Sequence, residues 1–248
     1  MKTVMMLLLV SVLAGCVTTG AKPGTDSNER HRAKIHTELG AGYYAQGLLA
    51  VSLDEFNESI RIDPAYAMAY AGLGLVHAAL NEDDKADANF KRALQLDPQS
   101  SETHNNYGTF LCSRNQFDAS IKEFLIAVKN PLYPTPELAY LNAGTCALKA
   151  GNDKDAEKYL AMALQLQPSL RQANYQLANL HFNRQDYFMA RQFLQQAMLN
   201  TEPTPDMLWL GVRIERQLGG SDAEASYRLL LKNKYPNSSQ TKAMLSGE

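Results

Sequence analysis

The chain has 248 residues, of which 24 are Lys or Arg and 26 are Asp or Glu, so its formal net charge at pH 7 is −2. This balance, with no basic stripe along the sequence, excludes the electrostatic footprint of a nucleic-acid-binding protein. The length would accommodate two globular domains. Beyond the N-terminus no apolar stretch is long enough to cross a membrane as a helix.

The first residues carry the features of a secretory signal. A basic start, Met1-Lys2, precedes an apolar run from Thr3 to Val12 that is too short for a stable membrane anchor. The tetrapeptide Leu13-Ala14-Gly15-Cys16 follows directly and resembles the bacterial lipobox, in which the cysteine is acylated and becomes the mature N-terminus. We therefore predict a signal peptide over residues 1–15 and lipidation at Cys16. The alternatives are an ordinary signal peptide followed by a chance cysteine, or a cysteine buried in a helix.

Lipidation at Cys16 would decide where the protein resides. Several acyl chains anchor a protein far more firmly than one chain does, so the N-terminal lipid predicts stable membrane attachment. By resemblance to lipoproteins of Gram-negative envelopes, Val17 lacks the aspartate that retains proteins at the inner membrane. This implies the outer membrane, facing the periplasm. Residues 16–32 are mostly small or polar and are predicted to form a flexible tether behind the acylated N-terminus.

A period of 34 residues organises most of the remaining chain. Gly40, Gly74 and Gly108 stand 34 residues apart, each followed at a fixed offset by a large and a small residue. Units of this length form helix hairpins that bury their apolar faces only by stacking on their neighbours. The pattern resembles the tetratricopeptide repeat and predicts an all-α, superhelical solenoid of about six helix-turn-helix repeats. The predicted units are residues 33–66, 67–100, 101–136, 137–170, 171–203 and 204–236, followed by a polar tail, residues 237–248, that either frays or caps the last repeat.

Two cysteines remain besides Cys16. Cys112 is the twelfth residue of the third unit and Cys146 the tenth of the fourth, so both fall on the first helix of adjacent units. In an oxidising compartment a disulfide between them is possible, provided that their Cα atoms lie within about 7 Å. Two buried free thiols that pack as small apolar side chains remain the alternative.

Nothing in the chain argues for catalysis. His36, His77, His104 and His181 recur at the fourth or eleventh position of a unit, where the repeat pattern asks for a packing side chain, and no pair has the spacing of metal ligands. No histidine is placed to activate a cysteine. We predict that the protein is not an enzyme and takes no metal, cofactor or small-molecule substrate.

The first helix of each unit is predicted to line the inner surface of the array. This surface is mildly apolar and nearly uncharged, and Thr37 and Ala41 occupy positions where a carboxylate-clamping groove would carry Lys or Asn. An apolar or extended partner segment fits it better, although each residue could instead pack against the neighbouring helix. The candidate groove residues are Tyr44, Leu75, Asn105, Thr109, Leu141, Thr145, Leu148 and Tyr175, with Ala71 and Phe182 on the same surface.

Several runs in the chain are similar to a known family. The segment Asn105-Asn106-Tyr107-Gly108-Thr109-Phe110-Leu111-Cys112, the insert with Pro131, Pro134 and Pro136, and the later runs Leu208-Trp209-Leu210-Gly211 and Arg213-Ile214-Glu215-Arg216 resemble the PilF/PilW lipoproteins of type IV pilus biogenesis. The proline insert is the more specific part, because the repeat period does not demand it.

Members of this family are pilotins, which help the outer-membrane secretin of the pilus to reach the membrane and oligomerise. The resemblance therefore implies the secretin as partner, Cys16 as the lipid site and the helix over residues 105–112 as a contact region. Two alternatives stay open. One is an adaptor lipoprotein for peptidoglycan hydrolases or the cell-division machinery, which also carries such repeats. The other is an envelope enzyme with a helical-repeat domain, against which the lack of a second domain or catalytic cluster in the sequence weighs heavily.

Overall fold

The computed structural model describes residues 23–247, and within this range it consists of α-helices and their connections. The predicted all-α repeat solenoid is confirmed. None of the described helices is both long and apolar enough to span a membrane. The helices are α1 (Pro23–Ala45), α2 (Leu49–Ile62), α3 (Ala67–Ala79), α4 (Asp83–Leu96), α5 (Ser101–Ser113), α6 (Phe117–Ala127), α7 (Pro136–Lys149), α8 (Asp153–Leu166), α9 (Arg171–Asn183), α10 (Tyr187–Met198), α11 (Pro205–Leu218), α12 (Ser221–Lys234) and α13 (Ser239–Ser246).

Consecutive helices pair into hairpins, from α1 with α2 to α11 with α12, and each hairpin stacks on the next. Each odd-numbered helix up to α9 also contacts the next odd-numbered helix, whereas within residues 23–247 no even-numbered helix contacts another even-numbered one. The even-numbered helices are therefore spread apart on the outside of a curved array. The odd-numbered helices α1 to α11 line its inner face.

A close crossing of helices within each hairpin explains the spaced glycines. A Cβ atom added to Gly108 would lie 2.8 Å from the ring of Phe124, too close for two carbon atoms. The same contact recurs in four other hairpins, each time between a glycine and the large residue sixteen positions after it. The corresponding pairs are Gly40 with Phe56, Gly74 with Phe90, Gly144 with Leu160 and Gly211 with Tyr227.

The predicted tether over residues 16–32 is wrong in its second half, because α1 begins at Pro23. Residues 28–32 expose their side chains, yet Arg30 contacts the end of α2: its guanidinium lies 3.3 Å from Asp63 and stacks 5.3 Å from the ring centroid of Tyr66. Extending an existing helix costs far less than nucleating one, so a polar segment continues a helix that packing already holds. Residues 16–22, including Cys16, lie outside the described residues.

The polar tail forms the capping helix α13. The Ser238 hydroxyl accepts a hydrogen bond from the Thr241 amide at 3.1 Å, which satisfies a free donor at the start of the helix. Thr241 and Met244 are buried, and Met244 packs with Leu208 and Leu231 of the last hairpin. A short polar helix thereby covers the apolar end of the solenoid.

The proline insert lies between α6 and α7. The Asn130 carboxamide oxygen accepts a hydrogen bond from the Leu132 amide at 2.9 Å, while Tyr133 is buried against Ala127 and Ala139. Pro136 forms the first turn of α7, where its missing amide proton costs nothing. The insert is thus an ordered part of the junction between the third and fourth hairpins.

Candidate functional site: the inner face of the solenoid

The predicted groove residues all lie on helices of the inner face. Thr109 is exposed and the other seven are half-buried, so each combines packing with some access to solvent. They do not form one continuous pocket. They divide into an apolar cavity near the N-terminal end, a polar middle and an aromatic C-terminal end.

The N-terminal cavity lies between α1, α3 and α5 and has a volume of about 110 Å³. It brings together Tyr44 and Leu75 of the predicted set. Met68, which is 49% exposed, and Asn106 also line it and are missing from that set. Met68 is the second residue of its unit, a position that commonly faces inward, so the repeat pattern could have identified it. The cavity offers an apolar side chain a recess with few charges.

The middle of the inner face is held together by its own polar groups. The Asn142 amide donates to the side-chain oxygen of Asn105 at 3.0 Å, which links α7 to α5. The Thr109 and Thr145 hydroxyls donate to carbonyls one turn earlier in their own helices, at 3.0 and 2.8 Å. These predicted contacts are therefore partly occupied by interactions within the array.

Two further predicted groove residues serve packing. Leu141 and Leu148 of α7 both pack against the cluster formed with α8 and α9, which includes Leu177 and Leu180. Much of the surface of these two leucines therefore packs against neighbouring helices, which is the alternative role given above for each groove residue.

Cys112 and Cys146 meet across the junction of α5 and α7. The structure joins them as a disulfide with Cα atoms 5.9 Å apart, inside the range that such a bridge spans. Cys146 is fully buried, and its sulfur lies 3.3 Å from the Ser120 hydroxyl of α6. The pair lies on the helices that carry Asn105 and Asn142, so it fastens the polar middle of the inner face.

Aromatic side chains dominate the C-terminal end. The Arg213 guanidinium of α11 stacks 4.3 Å from the ring centroid of Phe182 on α9, and Tyr187 lies 5.5 Å from Phe182. Burial raises the pKa of Tyr175, whose phenol also interacts electrostatically with Asp206 and Arg213. Tyr175, Phe182 and Arg213 therefore share this end of the surface.

Four of the five histidines contact carboxylates. His36 pairs with Glu55, His77 with Glu82, His104 with Glu123 and His181 with Asp186, at 2.6 to 3.1 Å. In the part of the chain that the structure describes, no three His, Cys, Asp or Glu side chains are grouped so that they could hold a metal ion. These pairs link neighbouring helices or turns.

Comparison with known proteins agrees with this architecture. Family models described as tetratricopeptide repeat match residues 67–100, 89–122 and 112–171. The solved structure of "PilW, widely conserved type IV pilus biogenesis factor" is 30% identical in sequence and superimposes with a TM-score of 0.77. The match covers 86% of this chain and 98% of that structure. The chain belongs to the PilF/PilW family of tetratricopeptide-repeat proteins of type IV pilus biogenesis.

Two matches to PilF support this membership over nearly the full length. "Type IV pilus assembly protein PilF" of Pseudomonas aeruginosa is 28% identical over 239 residues, 96% of this chain and 95% of that protein. A solved structure of Pseudomonas aeruginosa PilF has 26% identity and a TM-score of 0.80, over 89% of this chain and all of that structure. As a PilF/PilW member, the chain is a repeat protein whose inner face is the natural place to look for protein contacts.

Proposed function

We propose that this protein is a lipid-anchored scaffold of the outer membrane that binds the type IV pilus secretin and promotes its localisation and oligomerisation there. Membership of the PilF/PilW family carries the proposal, because it connects the chain to pilus assembly. The repeat architecture fits a binding role, since such arrays present extended surfaces to other proteins.

The cavity between α1, α3 and α5 is the best candidate for the principal contact. Its volume of about 110 Å³ suits one large apolar side chain of a partner. Burying such a side chain contributes roughly 1.5–3 kcal/mol, so additional contacts along the inner face are needed for a stable complex. The cavity lies in the N-terminal part of the array, where Thr37, Ala41 and Tyr44 from the C-terminal half of α1 form one of its walls.

The chain between the proposed anchor and the array is short. Six residues, 17–22, lie between Cys16 and the start of α1 at Pro23, so the Cα atoms of these two residues are at most about 25 Å apart. The start of α1 would therefore lie close to the membrane, and the cavity-lining residues Thr37 to Tyr44 follow about 20–30 Å further along that helix. This position suits a partner segment on the periplasmic side of the outer membrane.

Substitution at the cavity tests the binding role. Met68→Gln should leave the array folded but weaken secretin binding by about 1–2 kcal/mol, because a polar amide replaces an exposed apolar contact. Leu229→Gln on α12, where Leu229 is 59% exposed, is the matched control and should behave as wild type. Co-purification from detergent-solubilised outer membranes and the level of secretin multimers are the readouts.

A specific outcome would overturn this assignment. If a deletion strain retains wild-type secretin multimers and surface pili, the protein does not act on the secretin. Recovery of a peptidoglycan hydrolase in place of the secretin would favour the adaptor alternative.

The proposed anchor is tested separately. Cys16→Ser should release a folded protein into the soluble periplasmic fraction, because the predicted lipid is removed. Sedimentation of the variant with membranes in a strain that lacks the secretin would contradict lipidation as the means of attachment.

A further inference from the structure

The contact between consecutive inner helices follows a positional rule. The twelfth residue of one unit meets the tenth residue of the next, as Cys112 meets Cys146. Elsewhere the two residues share an apolar cluster. Tyr44 packs against the cluster that contains Val76, Ala78 against the cluster of Phe110, and Leu148 against the cluster of Leu180.

The last junction departs from this rule. The twelfth residue of the fifth unit is Phe182, and the tenth residue of the sixth unit is Arg213. A cation therefore occupies the place that an apolar or disulfide-bonded side chain has at the other junctions. Arg213 remains half-exposed, with its guanidinium stacked on the Phe182 ring. An apolar side chain could close this junction as it does at the others, so the charge calls for a separate explanation.

The neighbouring charged groups of the C-terminal end are engaged elsewhere. Glu215 of α11 is buried and accepts a hydrogen bond from Arg191 at 2.6 Å. Asp206 accepts a hydrogen bond from Gln240 of α13 at 2.5 Å, and Arg216 pairs with Glu224 at 3.3 Å. Within residues 23–247 no carboxylate forms an ion pair with Arg213. Its positive charge is thus available to a partner on the inner face.

We propose that the inner face of α9 and α11 is a second protein-binding site, in which Arg213 binds a carboxylate of an extended acidic segment. Guanidinium forms bidentate hydrogen bonds with carboxylates, and stacking on Phe182 holds its plane before the partner arrives. Tyr175 and Phe182 provide apolar contact beside the charge. The occupant is a peptide with Asp or Glu next to an apolar residue, and the site is separate from the N-terminal cavity.

The test uses the mature chain with Cys16→Ser and an array of twelve-residue peptides arranged in pairs. The members of each pair differ only in Asp or Glu against Asn or Gln. Wild-type protein should prefer the acidic members roughly tenfold, and the preference should weaken with added salt. Trp209, the single tryptophan of the chain, lies one helical turn from Arg213 and reports binding of the best pairs in solution by fluorescence.

Three substitutions separate charge from packing. Arg213→Met keeps an unbranched apolar stem against Phe182 and should abolish the acidic preference without loss of helix content. Arg216→Gln on the same helix and Met68→Gln at the N-terminal cavity should retain it. The proposal is overturned if wild-type protein shows no acidic preference, or if Arg213→Met preserves the preference.

Discussion

Reduction of the Cys112–Cys146 disulfide is expected to lower the free energy of unfolding by about 3.8 kcal/mol. The two cysteines are 34 residues apart. In the loop-entropy model a bridge over this separation removes about 12.6 cal/mol/K from the unfolded chain, which gives that figure at 25 °C. The effect arises in the unfolded state, so the reduced protein keeps its fold and only its stability falls.

The position of the bridge should spread its effect beyond one hairpin. In a repeat solenoid, stability is close to a sum of the hairpins and of the interfaces between neighbours. Cys112 and Cys146 lie on α5 and α7, in the middle of the array. Loss of the bridge should therefore weaken the interface at which the array could divide into two halves.

Urea titration with and without reductant measures this effect. With a slope of about 2.5 kcal/mol per molar urea, the midpoint should fall by about 1.5 M on reduction. Cys112→Ala should unfold like the reduced wild type in both conditions, because it removes the bridge and only one sulfur atom. Circular dichroism follows the whole array and Trp209 fluorescence follows the last hairpin.

Unfolding of oxidised and reduced wild-type protein at the same urea concentration would show that the bridge contributes no stability. Thiol labelling provides an independent check. Two reactive cysteines per mature Cys16→Ser chain in the denatured, unreduced sample would show that no bridge forms, and the alternative of two buried thiols would then hold.

Two further predictions concern packing and pH. Gly108→Ala should destabilise the array by about 1–3 kcal/mol, because the new Cβ would meet the Phe124 ring. Gly42→Ala is the control: no atom lies within 4 Å of its added Cβ, so this change should be neutral or stabilising in a thermal melt. Equal losses of stability in the two variants would contradict a close helix crossing at Gly108. Burial alone lowers the pKa of His104, but its hydrogen bonds to Glu123 and to the Pro98 carbonyl outweigh burial and raise the pKa. The resulting stabilisation is complete below the unfolded-state pKa of about 6.5 and is lost as the pH rises through the raised value. His104→Gln should therefore lower the melting temperature more at about pH 5.5 than at about pH 8.5, and an equal loss at both would refute the linkage.

The repeat period was readable because the contacts that define a hairpin are local. Gly108 meets Phe124 only sixteen residues later, and the same pair of residue types recurs at the same spacing in the preceding hairpins. The glycine at the crossing and the ring that fills it are thus visible as a pattern in one sequence. The helices, their pairing and the family resemblance all follow from such short-range regularities.

Composition was a poorer guide at the N-terminus. Residues 23–32 have the polar composition of a tether, yet they continue α1 and contact the end of α2 through Arg30. Whether such a segment is helical depends on the packed helix that it extends and on Asp63 and Tyr66, which are more than thirty residues away. Composition within a short window carries no information about either.

Tertiary structure alone decided how the inner face is divided. The repeat pattern correctly assigned Tyr44, Leu141 and Tyr175 to inner helices, but it could not show that only the first of these lines the cavity. Nor could it show that Arg213 lies on Phe182 while Glu215, two residues later, is buried against Arg191. Access to solvent depends on how far each hairpin is rotated against its neighbour, and that rotation results from all the contacts across the interface together.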